Sequence, residues 1–156
     1  MHIYLVRHGD AVPEEDAGSD RDRWLSLRGR EAARVLGRLL REQNIEPDAI
    51  VCSPLPRAVQ TAELLAASLD FLHPVVSLRA LEPSAQPRIA ATAIMELGVR
   101  VVVVGHEPSI SSLGAYLLGR PSFPPFRTAQ CCAIEKGKPT FTERADVNQT
   151  QAYFVD

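Results

Sequence analysis

Short apolar runs alternate with amphipathic segments along most of this 156-residue chain. Runs of mostly β-branched or apolar residues lie at 3–6, 49–52, 75–78 and 101–104. Continuous apolar runs of this length are typical of strands that are covered on both faces. Their alternation with helices predicts an α/β fold built from βαβ units.

The segments between these runs carry apolar residues at every third or fourth position, which is the spacing of one helix face. In the segment 29–44, Ala32, Val35, Leu36 and Leu40 share such a face, and Ser26 is the predicted N-cap. Similar patterns follow the second run, precede the fourth and follow it. We therefore predict a three-layer sandwich, with a mostly parallel central sheet and helices on both faces.

The C-terminal part has a different pattern. Two short extended runs around Gly137 predict an antiparallel hairpin at the edge of the sheet. The polar segment 14–23 and the proline-rich segment 119–127 are predicted loops. Because the chain has no internal repeat and no long linker, we predict a single domain over residues 1–156.

Composition excludes several classes of partner. The net charge of −2 gives no overall basic field, so neither nucleic acid nor a membrane surface is a predicted partner. The first apolar run is too short for a secretory or membrane-spanning segment, and a cytoplasmic location is expected. The three cysteines lack disulfide or zinc spacing, so packed thiols are expected, with no metal ion and no cofactor.

Polar residues follow each of the four predicted strands. The carboxyl ends of parallel strands meet at one edge of a sheet, so we expect these residues to lie close together. Two histidines and two arginines among them suit a phosphoryl group, whose oxygens need cationic donors and whose phosphorus needs an in-line nucleophile. In chain order they are Arg7, His8, Gly9, Ser53, Arg57, Glu82, His106 and Glu107.

Two local features favour an anion site. Arg57 lies in the first turn of a helix that Pro56 is predicted to open, where the helix dipole opposes a cation unless an anion lies between them. Gly9 lets the backbone turn sharply and a substrate approach closely. Taken singly, His8 would be a structural histidine, Arg57 a surface arginine and Glu82 a solvated carboxylate. The joint placement of four residues after successive strands favours a phosphate site, and these are Arg7, His8, Arg57 and His106.

Three motifs carry a resemblance to a known family. The segments "RHG" (7–9), "SPLPRAVQTA" (53–62) and "GHEP" (105–108) resemble the histidine phosphatase superfamily, also called phosphoglycerate mutase-like. This resemblance, which spans about residues 2–118, implies that His8 is the nucleophile and that Arg7, Arg57 and His106 form the phosphate pocket. The "RHGDA" start and the segment "WLSLRGREAA" are most similar to the small phosphohistidine phosphatases of the SixA type.

The resemblance implies a metal-free, two-step phosphoryl transfer through phosphohistidine on the enzyme, with a phosphohistidine-bearing signalling protein as substrate. Gly9, Ser53 and Glu107 are predicted to contact the phosphate as well. Glu82 lies near the place where many superfamily phosphatases carry a general acid, and it is the candidate acid here. The insertions of the superfamily's mutases are not found, so mutase activity is not predicted.

Two other functions remain open at this level. One is a phosphatase for a small phosphate ester such as a sugar phosphate or a nucleotide. The other is a regulatory module that binds phosphate without turnover. The presence of His8 with the full set of pocket residues favours catalysis, because binding alone needs no nucleophile.

Overall fold

The computed structural model describes residues 1–145 and 150–153, with side chains described through Arg144. Residues 146–149 and 154–156, which the predicted domain includes, lie outside this part. The described residues form seven strands in one sheet, in the order β3-β2-β4-β1-β5-β6-β7. The strands are β1 (His2–Arg7), β2 (Ala49–Cys52), β3 (Val76–Ser77), β4 (Arg100–Gly105), β5 (Gln130–Glu135), β6 (Lys138–Ala145) and β7 (Thr150–Tyr153).

The sheet is mixed, as predicted. Strands β3, β2, β4 and β1 are parallel to one another. Strand β5 pairs antiparallel with β1 and forms the predicted hairpin with β6 around Gly137. Strand β7 then adds to β6 in antiparallel register.

Helices cover both faces of the sheet and confirm the three-layer arrangement. Their bounds are α1 (Glu14–Ala17), α2 (Leu27–Glu42), α3 (Pro56–Ser68), α4 (Pro87–Met95) and α5 (Ser109–Leu118), and a 3-10 helix spans Arg79–Leu81. Helices α2 and α3 bury residues such as Leu36 and Leu65 against one face. Helices α4 and α5 bury residues such as Ile94 and Leu113 against the other. No helix in the part of the chain described here is both long enough and apolar enough to cross a membrane.

Two elements differ from the predictions. The third strand was expected over 75–78 and covered on both faces, but β3 contains only two residues, both exposed, because it is an edge strand that pairs with β2 alone. The segment 14–23, expected to be a loop, begins with helix α1, which ends at Gly18 in the left-handed conformation (φ 84°).

The parallel strands align the chain segments that carry the site. Arg7 at the end of β1 is in register with Gly105 at the end of β4, and the His8 N–H donates to the Gly105 carbonyl at 3.1 Å. One strand further, the Ser53 N–H donates to the Val104 carbonyl at 3.0 Å. The residues that follow β1, β2 and β4 therefore meet at one edge of the sheet.

Candidate functional site

His8 is buried directly after β1, and one of its ring nitrogens has a hydrogen-bond partner within the protein. Its Nδ1 lies 2.7 Å from the Gly9 carbonyl oxygen. A carbonyl only accepts hydrogen bonds, so Nδ1 carries the proton and Nε2 keeps its lone pair. Burial, followed by the positive charges of Arg57, Arg7 and Arg23, lowers the pKa of His8 to about 4 although the Gly9 carbonyl opposes this. His8 is therefore neutral at pH 7, as a nucleophile must be.

Arg7 is held by a hydrogen bond to the loop between α5 and β5. Its Nη1 donates to the Phe126 carbonyl at 2.8 Å. The Phe126 N–H in turn donates to Oε1 of Glu107 at 3.2 Å, and the Ser111 hydroxyl donates to Oε2 at 2.8 Å. The Glu107 carboxylate thus fixes the loop whose carbonyl orients Arg7.

Arg57 lies in the first turn of α3, which begins at Pro56 as predicted. The residue is 4% exposed, so it is not a surface arginine. Nη1 donates to the Asp20 carbonyl at 2.7 Å, and Nη2 lies 3.4 Å from Oδ2 of the same residue. Burial lowers the pKa of Arg57, and the Asp20 carboxylate opposes that shift.

His106, directly after β4, faces His8 with 5.1 Å between the ring centroids. Its Nε2 lies 2.7 Å from the Ser53 hydroxyl. Burial is the main cause that lowers the pKa of His106 to about 3, with smaller contributions from His8 and the arginines. This ring is therefore also neutral at pH 7.

These four side chains share one cavity of about 340 Å³ at the carboxyl edge of the parallel strands. Among the described side chains, Nε of Arg7, Nε of Arg57 and Nδ1 of His106 are buried and have no hydrogen-bond partner. Buried donors are seldom left unpaired, so the cavity is short of acceptors, which a bound anion supplies. The residues that line it are Arg7, His8, Asp10, Ala11, Asp20, Arg23, Arg57, Pro83, His106, Glu107 and Thr128.

The other residues predicted to contact the phosphate are Gly9, Ser53 and Glu107, and their positions relative to the cavity differ. Gly9 uses both backbone groups within the protein, since its N–H donates to the Thr61 hydroxyl at 3.0 Å and its carbonyl accepts from His8. The close approach at Gly9 is made by helix α2, because a Cβ there would lie 2.8 Å from the Gly29 oxygen. Ser53 is fully buried behind His106. Glu107 lines the cavity while both its oxygens accept hydrogen bonds.

Glu82 ends the 3-10 helix beside the cavity, which its neighbour Pro83 lines. Its carboxylate is paired with Arg21, at 3.3 Å from Nη2 to Oε1. Both Glu82 oxygens therefore accept hydrogen bonds from a guanidinium group.

Three residues of the site were not singled out from the sequence. Asp20 and Arg23 come from segment 14–23 and line the cavity; Asp20 bridges Arg57 to Arg23 through a 3.1 Å ion pair. Their alternating charges resemble those of a solvated loop, so no local signal marked them. Thr61 lies one turn after Arg57, and its hydroxyl donates to the Arg57 carbonyl at 2.7 Å. Its place within "SPLPRAVQTA" was the available signal.

Comparison with known proteins identifies the family. Residues 3–83 match the model of the histidine phosphatase superfamily (branch 1). The chain belongs to this superfamily. It is 30% identical over 148 residues to the phosphohistidine phosphatase SixA of Escherichia coli (strain K12), covering 90% of this chain and 91% of the relative.

Solved structures of the superfamily show the same fold. The protein histidine phosphatase SixA complexed with tungstate matches with a TM-score of 0.84 and 27% identity, over 95% of this chain and 98% of that one. A mycobacterial glucosyl-3-phosphoglycerate phosphatase matches with a TM-score of 0.70 and 18% identity, over 98% and 96% of the two chains. The second match concerns the fold alone, and this fold is therefore compatible with different substrates.

Proposed function

We propose that this protein is a phosphatase that hydrolyses phosphohistidine on a protein through a phosphoryl group carried transiently on His8. The observation that carries the proposal is the neutral His8, with a free Nε2, beside three side chains whose buried nitrogens lack acceptors. The arrangement offers an attacking lone pair and donors for the phosphoryl oxygens in one cavity.

In the first step the Nε2 lone pair of His8 attacks phosphorus. The new N–P bond forms as the bond from phosphorus to the substrate imidazole breaks, and the released imidazole takes a proton from water. Arg7, Arg57 and His106 hold the oxygens of the phosphoryl group as it moves between the two nitrogens.

In the second step a water molecule attacks phosphorus on the phosphorylated His8. The N–P bond breaks, inorganic phosphate leaves with the oxygen and one proton of that water, the other proton neutralises the hydroxide left by the first step, and neutral His8 is restored. The Gly9 carbonyl keeps the proton on Nδ1, so Nε2 is presented to phosphorus in every cycle.

A protein phosphohistidine is the favoured substrate because SixA of Escherichia coli, named a phosphohistidine phosphatase, is similar to this chain over nine-tenths of its length. The acid requirement of the imidazole leaving group is also compatible with the site. Imidazole departs with little acid assistance, and the candidate acid Glu82 is engaged by Arg21.

The test compares substrates and traps the intermediate. We expect kcat/KM to be highest for a phosphohistidine-bearing protein, lower for p-nitrophenyl phosphate and lowest for a panel of metabolite phosphates. Quenching in base after brief exposure to labelled substrate should reveal an acid-labile phosphoryl group on the protein. The label and the turnover should be absent in His8→Asn and unchanged in His73→Asn, where the substituted histidine is exposed.

Different results would contradict the role of His8, the substrate class and the catalytic function. An acid-stable label, or turnover that survives in His8→Asn, would remove His8 from its role. Fastest hydrolysis of a metabolite ester would assign the protein to the small-molecule phosphatases. Tight phosphate binding without turnover of any substrate would make it a regulatory module.

A further inference from the structure

Among the described residues, the Ser53 hydroxyl is the only hydrogen-bond partner of the His106 ring, which also lies beside the His8 ring. Ser53 directly follows β2 and is 0% exposed. Its Oγ lies 2.7 Å from Nε2 of His106 and accepts a hydrogen bond from the Leu55 N–H at 3.2 Å. The hydroxyl therefore sits behind the ring, on the side away from the cavity that His106 lines.

The direction of the hydrogen bond between Ser53 and His106 follows from the number of protons that each group can donate. A hydroxyl has one proton to donate, and the Ser53 oxygen already acts as acceptor toward Leu55. No other acceptor for its proton is present among the described residues, so the proton points to Nε2 of His106. If Nε2 carried the proton instead, two buried groups would lack partners, namely the Ser53 hydroxyl proton and the Nδ1 lone pair. With the proton on Nδ1, only that N–H lacks one, and it is a donor that a bound anion can pair with.

A neutral imidazole with an unprotonated Nε2 carries its proton on Nδ1. In His106 that nitrogen is the buried one without a partner. Burial lowers the pKa of His106 to about 3, so in the free protein, with no anion bound, the ring is neutral at pH 7. It stabilises phosphate only if an N–H faces the cavity, and the Nδ1–H tautomer provides one.

We propose that Ser53 is a positioning residue that holds neutral His106 as the Nδ1–H tautomer, which makes it a hydrogen-bond donor to the transferring phosphoryl group. The two histidines then have opposite roles set by their second nitrogens. The Gly9 carbonyl leaves His8 with a lone pair for attack, and the Ser53 hydroxyl leaves His106 with a proton for donation. The phosphoryl part of this proposal rests on the proposed function; the tautomer belongs to the free protein.

The test reads the tautomer directly by nitrogen-15 NMR of the histidine side chains at pH 7, with the His106 signals assigned by their loss in His106→Asn. We expect a protonated Nδ1 and an unprotonated Nε2 in the wild type and in Ser53→Thr, which keeps the hydroxyl. Ser53→Ala should show a mixture of tautomers. Ser109→Ala is the matched control, since the Ser109 hydroxyl donates only to the His106 backbone carbonyl, and the tautomer should be unchanged.

Kinetics supply the second readout. We expect Ser53→Ala to lower kcat/KM about tenfold, in line with losing a hydrogen bond to a charged group, and Ser53→Thr to recover most of it. In a His106→Asn background, Ser53→Ala should have no further effect, because Ser53 acts through that ring. A purely structural serine would lower activity in both backgrounds.

The outcomes separate this proposal from the proposed function. A proton on Nε2 of His106 in the wild type would overturn the role of Ser53, whatever the enzyme hydrolyses, and this spectrum is that of the wild-type protein, with His106→Asn used only for assignment. Equal losses from Ser53→Ala with and without His106 would also overturn it. The expected tautomer in a protein that does not hydrolyse phosphohistidine would leave the role of Ser53 intact and contradict the substrate assignment instead.

Discussion

Gly29 of helix α2 packs against the backbone of Asp10, so closely that a Cβ atom on Gly29 would lie 2.0 Å from the Asp10 oxygen. The preceding turn strengthens this contact. The Ser26 N–H donates to the Asp10 carbonyl at 3.0 Å, and the Ser26 hydroxyl donates to its carboxylate at 2.7 Å. The start of α2 therefore holds the chain two residues after His8.

The contact predicts the effect of Gly29→Ala. Its methyl group has no room against backbone, so the segment after His8 must shift, and overpacking of this kind typically costs about 1–3 kcal/mol. We expect a lower free energy of unfolding in urea and a large loss of activity even on p-nitrophenyl phosphate. Leu27→Ala, in the same turn but 81% exposed, should change stability by less than about 0.5 kcal/mol. Wild-type stability and kcat in Gly29→Ala would contradict the importance of the contact.

The two buried histidines predict how stability depends on pH. Their pKa values are about 4 for His8 and about 3 for His106, below the ordinary value of 6.5, so between pH 6.5 and 4 the unfolded chain binds protons that the folded protein does not. The free energy of unfolding should therefore fall as pH decreases through this window, by about 1.4 kcal/mol per pH unit for each histidine. The stabilising contribution is complete above pH 6.5.

Variants isolate this effect from the carboxylates that titrate in the same range. His106→Gln should have a shallower dependence on pH than the wild type, measured as urea unfolding at several pH values. Ser109→Ala, which changes no titratable group, should keep the wild-type slope. Identical slopes in all three proteins would mean that His106 takes up its proton in the folded state as readily as in the unfolded chain.

Substitution of Glu82 tests whether this residue is a general acid or only the ion-pair partner of Arg21. Because its carboxylate is paired with Arg21, we expect Glu82→Gln to change kcat/KM by less than about threefold on any substrate, as befits an exposed ion pair. Arg21→Gln, which breaks the same pair from the other side, should have the same small effect. A loss of about 10²-fold or more with alkyl phosphate esters in Glu82→Gln alone would identify Glu82 as a general acid.

The charge of the cavity predicts metal independence. Arg7, Arg23 and Arg57 line it, and Asp20 is shared between the latter two, so we expect an anion as its ligand. We expect turnover to survive exhaustive chelation and to be inhibited by vanadate, which mimics a trigonal phosphoryl group. Activity that disappears with chelator and returns with a divalent ion would contradict the two-step mechanism given above.

The sequence by itself determined the layers of the fold and the four residues at the centre of the site. Helix α2 was predictable because its apolar residues recur at the helical repeat, and strand β4 because a short continuous apolar run is typical of a strand covered on both faces. Arg7, His8, Arg57 and His106 were predictable for a geometric reason, since residues that follow neighbouring parallel strands must reach the same edge.

Only the tertiary structure decided what depends on neighbours distant in the chain. Strand β3 is short and exposed because it lies at the edge of the sheet, a position that the apolar residues of 75–78 do not encode. Asp20 contacts Arg57 across 37 positions of sequence. A charged segment has the same sequence pattern whether it faces water or a buried guanidinium group. The protons of His8 and His106 are set by the Gly9 carbonyl and the Ser53 hydroxyl, because an imidazole takes its tautomer from the partner of its second nitrogen.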